Sequence, residues 1–126
     1  MGRTIGIIGF GHTGSTFARK LRGLDMQILA YDKYKSNSVA DFPYAKAVGL
    51  ETIQSQADII SFHLPLTEEV IHMVDDSFIQ NCKDGVILIN TSRGKVINTT
   101  ALVRALENGK VAGACLDVFE NEKSYS

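Results

Sequence analysis

Short runs of β-branched and other apolar residues alternate with amphipathic segments along this chain. This alternation is typical of parallel strands joined by helical crossovers, because each strand is buried on both faces while each helix is apolar on one face. The predicted strands span residues 4–9, 27–31, 45–48, 59–63, 86–90 and 111–116, and the predicted helices span residues 14–24, 50–56, 75–81 and 99–108. The sequence therefore predicts an α/β fold of 126 residues in one domain, a Rossmann-type, doubly wound parallel sheet of about six strands in three α/β/α layers.

Helix faces and helix ends carry more specific signals. The expected apolar face of the first helix consists of Phe17, Ala18, Leu21 and Leu24, and that of the last helix consists of Ala101, Leu102, Ala105 and Leu106. Asn98 is a suitable N-cap for the last helix and Gly109 a suitable stop, while Asp75 or Asp76 can cap the helix before it. These signals predict where two of the crossover helices begin and where the last one ends.

Composition and charge limit the kinds of molecule that we expect this chain to bind. Thirteen basic and fourteen acidic side chains give a formal charge of -1, and no Lys/Arg cluster suited to several phosphates of a nucleic acid is present. The first residues show no charged leader before a long apolar stretch, and no apolar run is long enough to span a bilayer. Cys82 and Cys115 lie far apart, without C-x-x-C spacing. The sequence predicts a cytoplasmic protein with no nucleic-acid partner, no membrane partner and no metal site.

Three glycines follow the first predicted strand at the spacing G-x-G-x-x-G. Gly9 permits a tight turn, Gly11 lets a diphosphate approach the backbone, and Gly14 lets the helix pack closely on the strand. His12 and Thr13 supply backbone N–H groups at the start of the helix, where an anion is stabilised. The spacing alone also suits an ordinary glycine-rich turn. Because a predicted strand precedes these three glycines and a predicted helix follows them, we expect a dinucleotide-binding turn.

An acidic residue ends the second predicted strand. Seventeen residues separate Asp32 from Gly14, close to the separation expected for the acid that binds the adenosine ribose. A carboxylate there accepts hydrogen bonds from the ribose hydroxyls and repels a 2′-phosphate, which favours NAD over NADP. Lys33 and Lys35 are the argument for NADP, although a solvated loop is their more common use. The sequence predicts NAD as the cofactor.

The stretches SFHLPLT, NTSRGK and DVFENEK follow the fourth, fifth and sixth predicted strands. In an open parallel sheet the ligand crevice lies beyond the carboxyl ends of the strands. In order, the segments GIIGFGHTG, YDKY, ADIISFHLPLTEEVIHMV, GVILINTSRGKVIN and ALVRALENGKVAGACLDVFENE resemble the cofactor domain of the D-isomer-specific 2-hydroxyacid dehydrogenases. The resemblance, which is D-3-phosphoglycerate dehydrogenase-like, covers nearly the whole chain. It implies hydride transfer between NAD and a D-2-hydroxy acid or its 2-oxo acid, with D-3-phosphoglycerate as the favoured substrate.

The resemblance implies two catalytic residues. Arg93 matches the arginine of the family signature N-T-[AS]-R-G, which binds the substrate carboxylate and polarises the reacting carbonyl. Its planar, permanently charged fork suits both tasks, although a surface-loop arginine is the alternative. Glu122 matches the glutamate that pairs with a catalytic histidine, and the alternative is a solvated acidic tail. Lys123 stands where the family usually has proline, a departure that concerns the loop geometry.

The same resemblance implies further cofactor contacts. Asp117 matches the residue that holds the nicotinamide carboxamide, with a simple strand end as the alternative. His63, Pro65 and Thr67 match the loop that lines the adenosine and its ribose, and Thr91 lies in the arginine signature. For His63 we expect a positioning or structural role rather than acid catalysis.

The resemblance also defines what this segment lacks. In the family a histidine downstream of the glutamate exchanges the hydroxyl proton, and a second domain that binds the substrate is built from both ends of the chain. No such histidine follows Glu122 before Ser126, so we expect residues 1–126 to bind NAD without turnover. The parent enzyme is expected to be a homodimer that acts on a small-molecule 2-hydroxy acid. The alternative is an NAD-sensing regulatory module of the corepressor type, but Arg93 and Glu122 favour the enzyme.

Overall fold

The computed structural model describes residues 3–9, 12–21, 23–32, 45–64, 71–91 and 96–116. Strands and helices alternate within them, as the sequence pattern predicts. The elements in chain order are β1 (Arg3–Ile8), α1 (His12–Leu21), β2 (Met26–Tyr31), β3 (Ala45–Ala47), α2 (Leu50–Gln56), β4 (Ile59–Phe62), α3 (Asp76–Gln80), β5 (Val86–Asn90), α4 (Thr99–Glu107) and β6 (Val111–Leu116).

The strands form one parallel sheet with the order β3-β2-β1-β4-β5-β6. The chain builds outward from β1 to β3 and then returns to the other side of β1 with β4. Ile8, at the end of β1, is level with Tyr31 of β2 and with Phe62 of β4. The loops that leave these three strands therefore start side by side at the point where strand order reverses, which is where doubly wound sheets bind ligands. The predicted fold class is confirmed.

The sheet is buried on both faces. Ile7 packs with Ala18 of α1 and with Ile28 and Ala30 of β2 in one cluster. The neighbouring Ile8 points to the opposite face and joins a larger cluster. That second cluster contains residues of α2, α3 and α4, among them Ile53, Phe78 and Leu102. The described helices therefore cover both faces, with α1 on one and the other three on the opposite one, and this gives the expected three layers.

The helix caps lie where the sequence predicts them. The Asn98 side chain accepts a hydrogen bond from the Ala101 backbone N–H at 3.1 Å, which caps α4. Asp75, and not Asp76, caps α3 by accepting from the Phe78 backbone N–H at 2.9 Å. After α4, Gly109 has a φ of +84°, the left-handed conformation that ends a helix most easily when the residue is glycine.

The cap of α4 allows a direct measurement of its contribution to stability. We expect Asn98→Ala to lower the free energy of unfolding by about 1 kcal/mol, because the Ala101 N–H loses its side-chain acceptor. Asn98→Ser keeps a capping oxygen and is the matched control. Urea denaturation of the two variants and the parent chain checks this. If the alanine and serine variants unfold at the same urea concentration, the cap does not stabilise the chain.

Several predicted boundaries are wrong. The first helix spans His12–Leu21, so it begins before Gly14 and ends before Leu24, which is 57% exposed. Leu106 is also exposed, at 40%, because α4 buries only the stripe formed by Ala101, Leu102 and Ala105. β1 and β4 each end one residue earlier than predicted. For β1 the reason is that the chain turns at Gly9, whose φ is +90°.

Sites of other kinds are not found in the described residues. No helix among them is both long and apolar enough to cross a membrane. Within the same part of the chain, no three His, Cys, Asp or Glu side chains are grouped so that they could hold a metal ion. Cys82 is buried, Cys115 is exposed, and both are free thiols. Burial raises the pKa of the Cys82 thiol to about 11.

Candidate functional site

The turn after β1 has no room for side chains at two of its glycines. We call residues 9–14 the glycine turn. A Cβ at Gly9 would lie 2.3 Å from the backbone oxygen of His63, and a Cβ at Gly14 would lie 2.1 Å from the oxygen of Gly9. The Gly9 N–H donates to the Tyr31 carbonyl at 2.8 Å, so the turn is fixed against the end of β2. Glycine is therefore required at both positions for α1 to start this close to the sheet.

The start of α1 suits an anion. The helix begins at His12 and carries no acidic residue in its first turn, whereas Arg19 and Lys20 lie in its last turn. The first backbone N–H groups of a helix have no partner within it, and the helix dipole adds partial positive charge at that end. With bare glycine backbone beside it, this helix start fits a diphosphate that approaches closely. The described part of this turn agrees with the predicted dinucleotide-binding turn.

Asp32 lies next to the glycine turn. It directly follows Tyr31, whose carbonyl accepts the Gly9 N–H, and its side chain is half-buried. A carboxylate one residue beyond β2 is therefore beside the place where a diphosphate would rest on α1. This is the placement that the ribose-binding role requires.

His63 lies on the other side of the glycine turn, directly after β4. Its imidazole is buried, with 9% of the residue exposed. Nε2 pairs with the Ser61 hydroxyl at 2.8 Å and Nδ1 pairs with the Thr91 hydroxyl at 3.0 Å. The Thr91 hydroxyl is also 3.1 Å from the Phe62 carbonyl oxygen, to which it can donate. Burial lowers the pKa of His63 to about 4, so the ring is neutral near pH 7. A neutral ring with both nitrogens paired agrees with a positioning role and not with acid catalysis.

The structure brings five of the predicted site residues to one edge of the sheet, namely Gly9, Gly14, Asp32, His63 and Thr91. His12 and Thr13 supply the first backbone units of α1. The remaining predicted site residues lie outside the described residues: Gly11, Pro65, Thr67, Arg93, Asp117 and Glu122. Their roles stay predictions.

Sequence reasoning missed two residues that complete this edge. Ser61 precedes His63 by two positions, so their side chains lie on the same face of the chain, and Ser61 is fully buried beside the imidazole. Phe17 of α1 lies against the same ring, with 5.1 Å between the ring centroids. The S-x-H spacing was the available signal for Ser61. No local signal pairs Phe17 with His63, because that contact depends on how α1 packs.

A second depression lies between α3 and α4, near the amino edge of the sheet. It has a volume of about 320 Å³, and Asp76, Arg104 and Lys110 contribute to its lining. Arg104 pairs with Asp76 at 2.5 Å, and Lys110 pairs with Asp84 at 2.8 Å. This depression is at the opposite edge from the glycine turn, and its two cations already have acidic partners.

Comparison with known proteins agrees with the site geometry. The family model described as D-isomer specific 2-hydroxyacid dehydrogenase, NAD binding domain, matches residues 1–126. A glyoxylate reductase of Thermococcus litoralis is 42% identical over 125 residues, which are 99% of this chain and 38% of that protein. A D-3-phosphoglycerate dehydrogenase of Archaeoglobus fulgidus is 39% identical over 121 residues, which are 96% of this chain and 23% of that protein.

A solved structure shows the same relation. The crystal structure of a D-lactate dehydrogenase from Aquifex aeolicus, complexed with NAD and lactic acid, matches with a TM-score of 0.91 and 41% sequence identity. The match covers 98% of this chain and 37% of the other. The chain thus spans between 23% and 38% of the length of these relatives.

Proposed function

The chain belongs to the NAD binding domains of the D-isomer specific 2-hydroxyacid dehydrogenases, and we propose that it is the cofactor-binding part of an oxidoreductase of that kind. Such an enzyme transfers a hydride between NAD and a small D-2-hydroxy acid or its 2-oxo acid. The observation that carries the proposal is the glycine turn, where Gly9 and Gly14 leave backbone bare beside the start of α1 and next to Asp32.

Residues on either side of the turn would hold the cofactor. The first N–H groups of α1 would bind the diphosphate of NAD, and the Asp32 carboxylate would accept hydrogen bonds from the adenosine ribose. When bound, NAD supplies the carbon that accepts or returns the hydride. We propose Arg93 for the substrate carboxylate, Asp117 for the nicotinamide carboxamide and Glu122 as the partner of a histidine elsewhere in the parent enzyme. The Arg93 guanidinium suits a carboxylate. The Asp117 carboxylate suits the N–H donors of a carboxamide, and the Glu122 carboxylate suits a protonated histidine.

The substrate class that we propose is the small 2-oxo and 2-hydroxy acids. The relatives compared above are named for glyoxylate, lactate and D-3-phosphoglycerate, so they do not single out the phosphoglycerate favoured in the sequence analysis. D-3-Phosphoglycerate remains one member of the proposed class. Because these relatives are named as enzymes, they support a dehydrogenase over an NAD-sensing regulatory module. A homodimeric parent and a cytoplasmic location remain predictions.

The role of Asp32 can be tested by nucleotide titration. We expect the chain to bind NADH more tightly than NADPH, because the carboxylate repels a 2′-phosphate. Asp32→Ala is expected to weaken NADH binding by roughly 10- to 100-fold, the effect of losing charge-assisted hydrogen bonds to the ribose. NADPH binding is expected to change much less. Nucleotide fluorescence during titration measures both affinities.

Asp25→Ala is the matched control, because Asp25 is an exposed acid at the opposite end of β2 from Asp32, away from the glycine turn. We expect this variant to bind NADH like the parent chain. Equal affinity of the parent chain for NADH and NADPH would contradict the ribose argument, and no binding of either would contradict the proposed function. Adding glyoxylate, pyruvate or hydroxypyruvate phosphate to the NADH-bound chain is expected to cause no oxidation of NADH.

A further inference from the structure

His63 lies where three strand ends and one helix meet. Its backbone N–H donates to the Ile8 carbonyl at the end of β1, at 2.8 Å. Its backbone oxygen closes the space above Gly9, where a Cβ would be 2.3 Å away. Its ring lies against Phe17, in the second turn of α1, at a centroid distance of 5.1 Å and an interplanar angle of 40°. The residue therefore contacts both sides of the glycine turn.

The imidazole also connects this turn to the end of β5. Thr91 directly follows β5, and its backbone N–H donates to the Phe62 carbonyl at 3.3 Å. Its hydroxyl oxygen is 3.0 Å from Nδ1 of His63 and 3.1 Å from the Phe62 carbonyl oxygen. In sequence, Thr91 lies two residues before Arg93. These contacts therefore hold Thr91 itself, two positions before the proposed substrate-binding arginine.

The hydrogen-bond partners determine which ring nitrogen carries the proton. The Phe62 carbonyl can only accept, and the Thr91 hydroxyl can donate to it. With its proton placed there, the Thr91 oxygen can accept from Nδ1–H of His63. Nε2 is left as an acceptor, and the hydroxyl of the fully buried Ser61 donates to it. In the opposite tautomer Nε2–H would donate to Ser61, and the hydroxyl proton of that buried side chain would have no acceptor among the contacts that the structure describes.

We propose that His63 is a positioning residue that couples the glycine turn to Thr91, with its ring fixed as the Nδ1–H tautomer. The coupling rests on the proposed NAD function, whereas the tautomer does not. A diphosphate on the first N–H groups of α1 constrains that helix, and Phe17 transmits the constraint to the imidazole. The ring then holds the Thr91 hydroxyl, because Nδ1–H donates to it. Binding at one end of the crevice thereby orders the other end.

The first experiment determines the tautomer in the ligand-free chain. Histidine labelled with ¹⁵N gives distinct NMR signals for a ring nitrogen that carries a proton and for one that does not, and His63→Asn assigns the signals of this ring. We expect His63 to show a protonated Nδ1 and an unprotonated Nε2 at neutral pH. Thr91→Ser keeps the hydroxyl and is expected to keep this pattern, while Thr91→Val removes the acceptor and is expected to shift the ring toward Nε2–H. An Nε2–H ring in the parent chain would overturn the assignment.

The second experiment measures the coupling with ADP, which carries a diphosphate but has no nicotinamide to contact Thr91 directly. We expect saturating ADP to move the Thr91 backbone amide signal in the parent chain and in Thr91→Ser. In His63→Asn and in Phe17→Leu, each measured at its own saturating concentration of ADP, we expect that response to fall severalfold. A merely structural histidine would leave the response intact wherever ADP still binds.

The outcomes separate the two proposals. An undiminished Thr91 response in both His63→Asn and Phe17→Leu would overturn the coupling while the NAD site stands. No ADP or NADH binding to the folded parent chain would contradict the proposed function, and the coupling with it, while the tautomer result would stand unaffected. Because Phe17 is only half-buried, its leucine variant keeps the test available if His63→Asn does not fold.

Discussion

Gly9→Ala is expected to abolish measurable NADH binding and to lower the free energy of unfolding by about 3 kcal/mol or more. Gly9 has a φ of +90°, which an L-residue adopts only with strain, and its Cβ would lie 2.3 Å from the His63 backbone oxygen. A backbone atom cannot rotate away as a side chain can, so β1 and the end of β4 must separate. That separation displaces the start of α1 and the N–H groups proposed to bind the diphosphate.

Gly109→Ala is the matched control for this prediction. Gly109 has a similar φ of +84°, but nothing lies within 4 Å of the position its Cβ would take. The Gly109→Ala variant therefore has the conformational strain without a collision. We expect it to lower the free energy of unfolding by about 1 kcal/mol and to leave NADH binding unaffected. Urea denaturation and NADH titration of both variants separate strain from collision. The steric argument fails if Gly9→Ala unfolds at the same urea concentration as Gly109→Ala and binds NADH like the parent chain.

The alternation of apolar runs predicted the fold because a buried strand and an amphipathic helix each have their own pattern of apolar residues, which is visible over a few neighbouring positions. Residues 50–56, 86–90 and 111–116 adopt the predicted elements with the predicted bounds. The errors occur where tertiary packing, and not periodicity, decides the outcome. Leu24 continues the apolar spacing of α1, yet the helix ends at Leu21 and leaves Leu24 exposed, since β2 begins at Met26.

The candidate site was predictable in part for a similar reason. The glycine spacing and the separation of Asp32 are local, so the sequence identified Gly9, Gly14 and Asp32. The contact of His63 with Thr91 was not predictable, because Thr91 lies 28 residues away and reaches the imidazole only through the pairing of β4 with β5. The side-chain network at this edge therefore required the structure, although every residue type in it was visible in the sequence.

Acidification is expected to destabilise the chain through His63. The ordinary pKa of a histidine is 6.5, and burial lowers that of folded His63 to about 4. Between these values the unfolded chain binds a proton that the folded chain does not, so the free energy of unfolding falls as pH falls. The contribution is fully present above pH 6.5 and is lost as pH approaches about 4. A difference of this size corresponds to about 3 kcal/mol at most.

The structural reason is the arrangement of hydrogen-bond donors and acceptors around the His63 ring. A protonated His63 carries a proton on both ring nitrogens, so Nε2 could not accept a hydrogen bond from the hydroxyl of the buried Ser61. The carboxylate of Asp58 affects the free energy of unfolding only at lower pH. A hydrogen bond from Lys83 at 2.6 Å, and one from the Thr4 backbone, hold the pKa of Asp58 below its ordinary value of 3.8. Among the described groups with a shifted pKa, His63 is therefore the one whose contribution changes most between about pH 7 and pH 4.5.

Urea denaturation across this pH range, on three chains, tests the expectation. The parent chain should lose stability steadily as pH falls, whereas His63→Asn should be less stable at pH 7 but much less dependent on pH. His72→Asn is the matched control, because His72 has a φ of +52° that asparagine tolerates well, and the ring nitrogens of His63 pair with Ser61 and Thr91 instead. This control should retain the slope of the parent chain. If His63→Asn retains the full slope as well, the acid sensitivity arises elsewhere, and His63 is not the neutral, buried group that its contacts with Ser61 and Thr91 require.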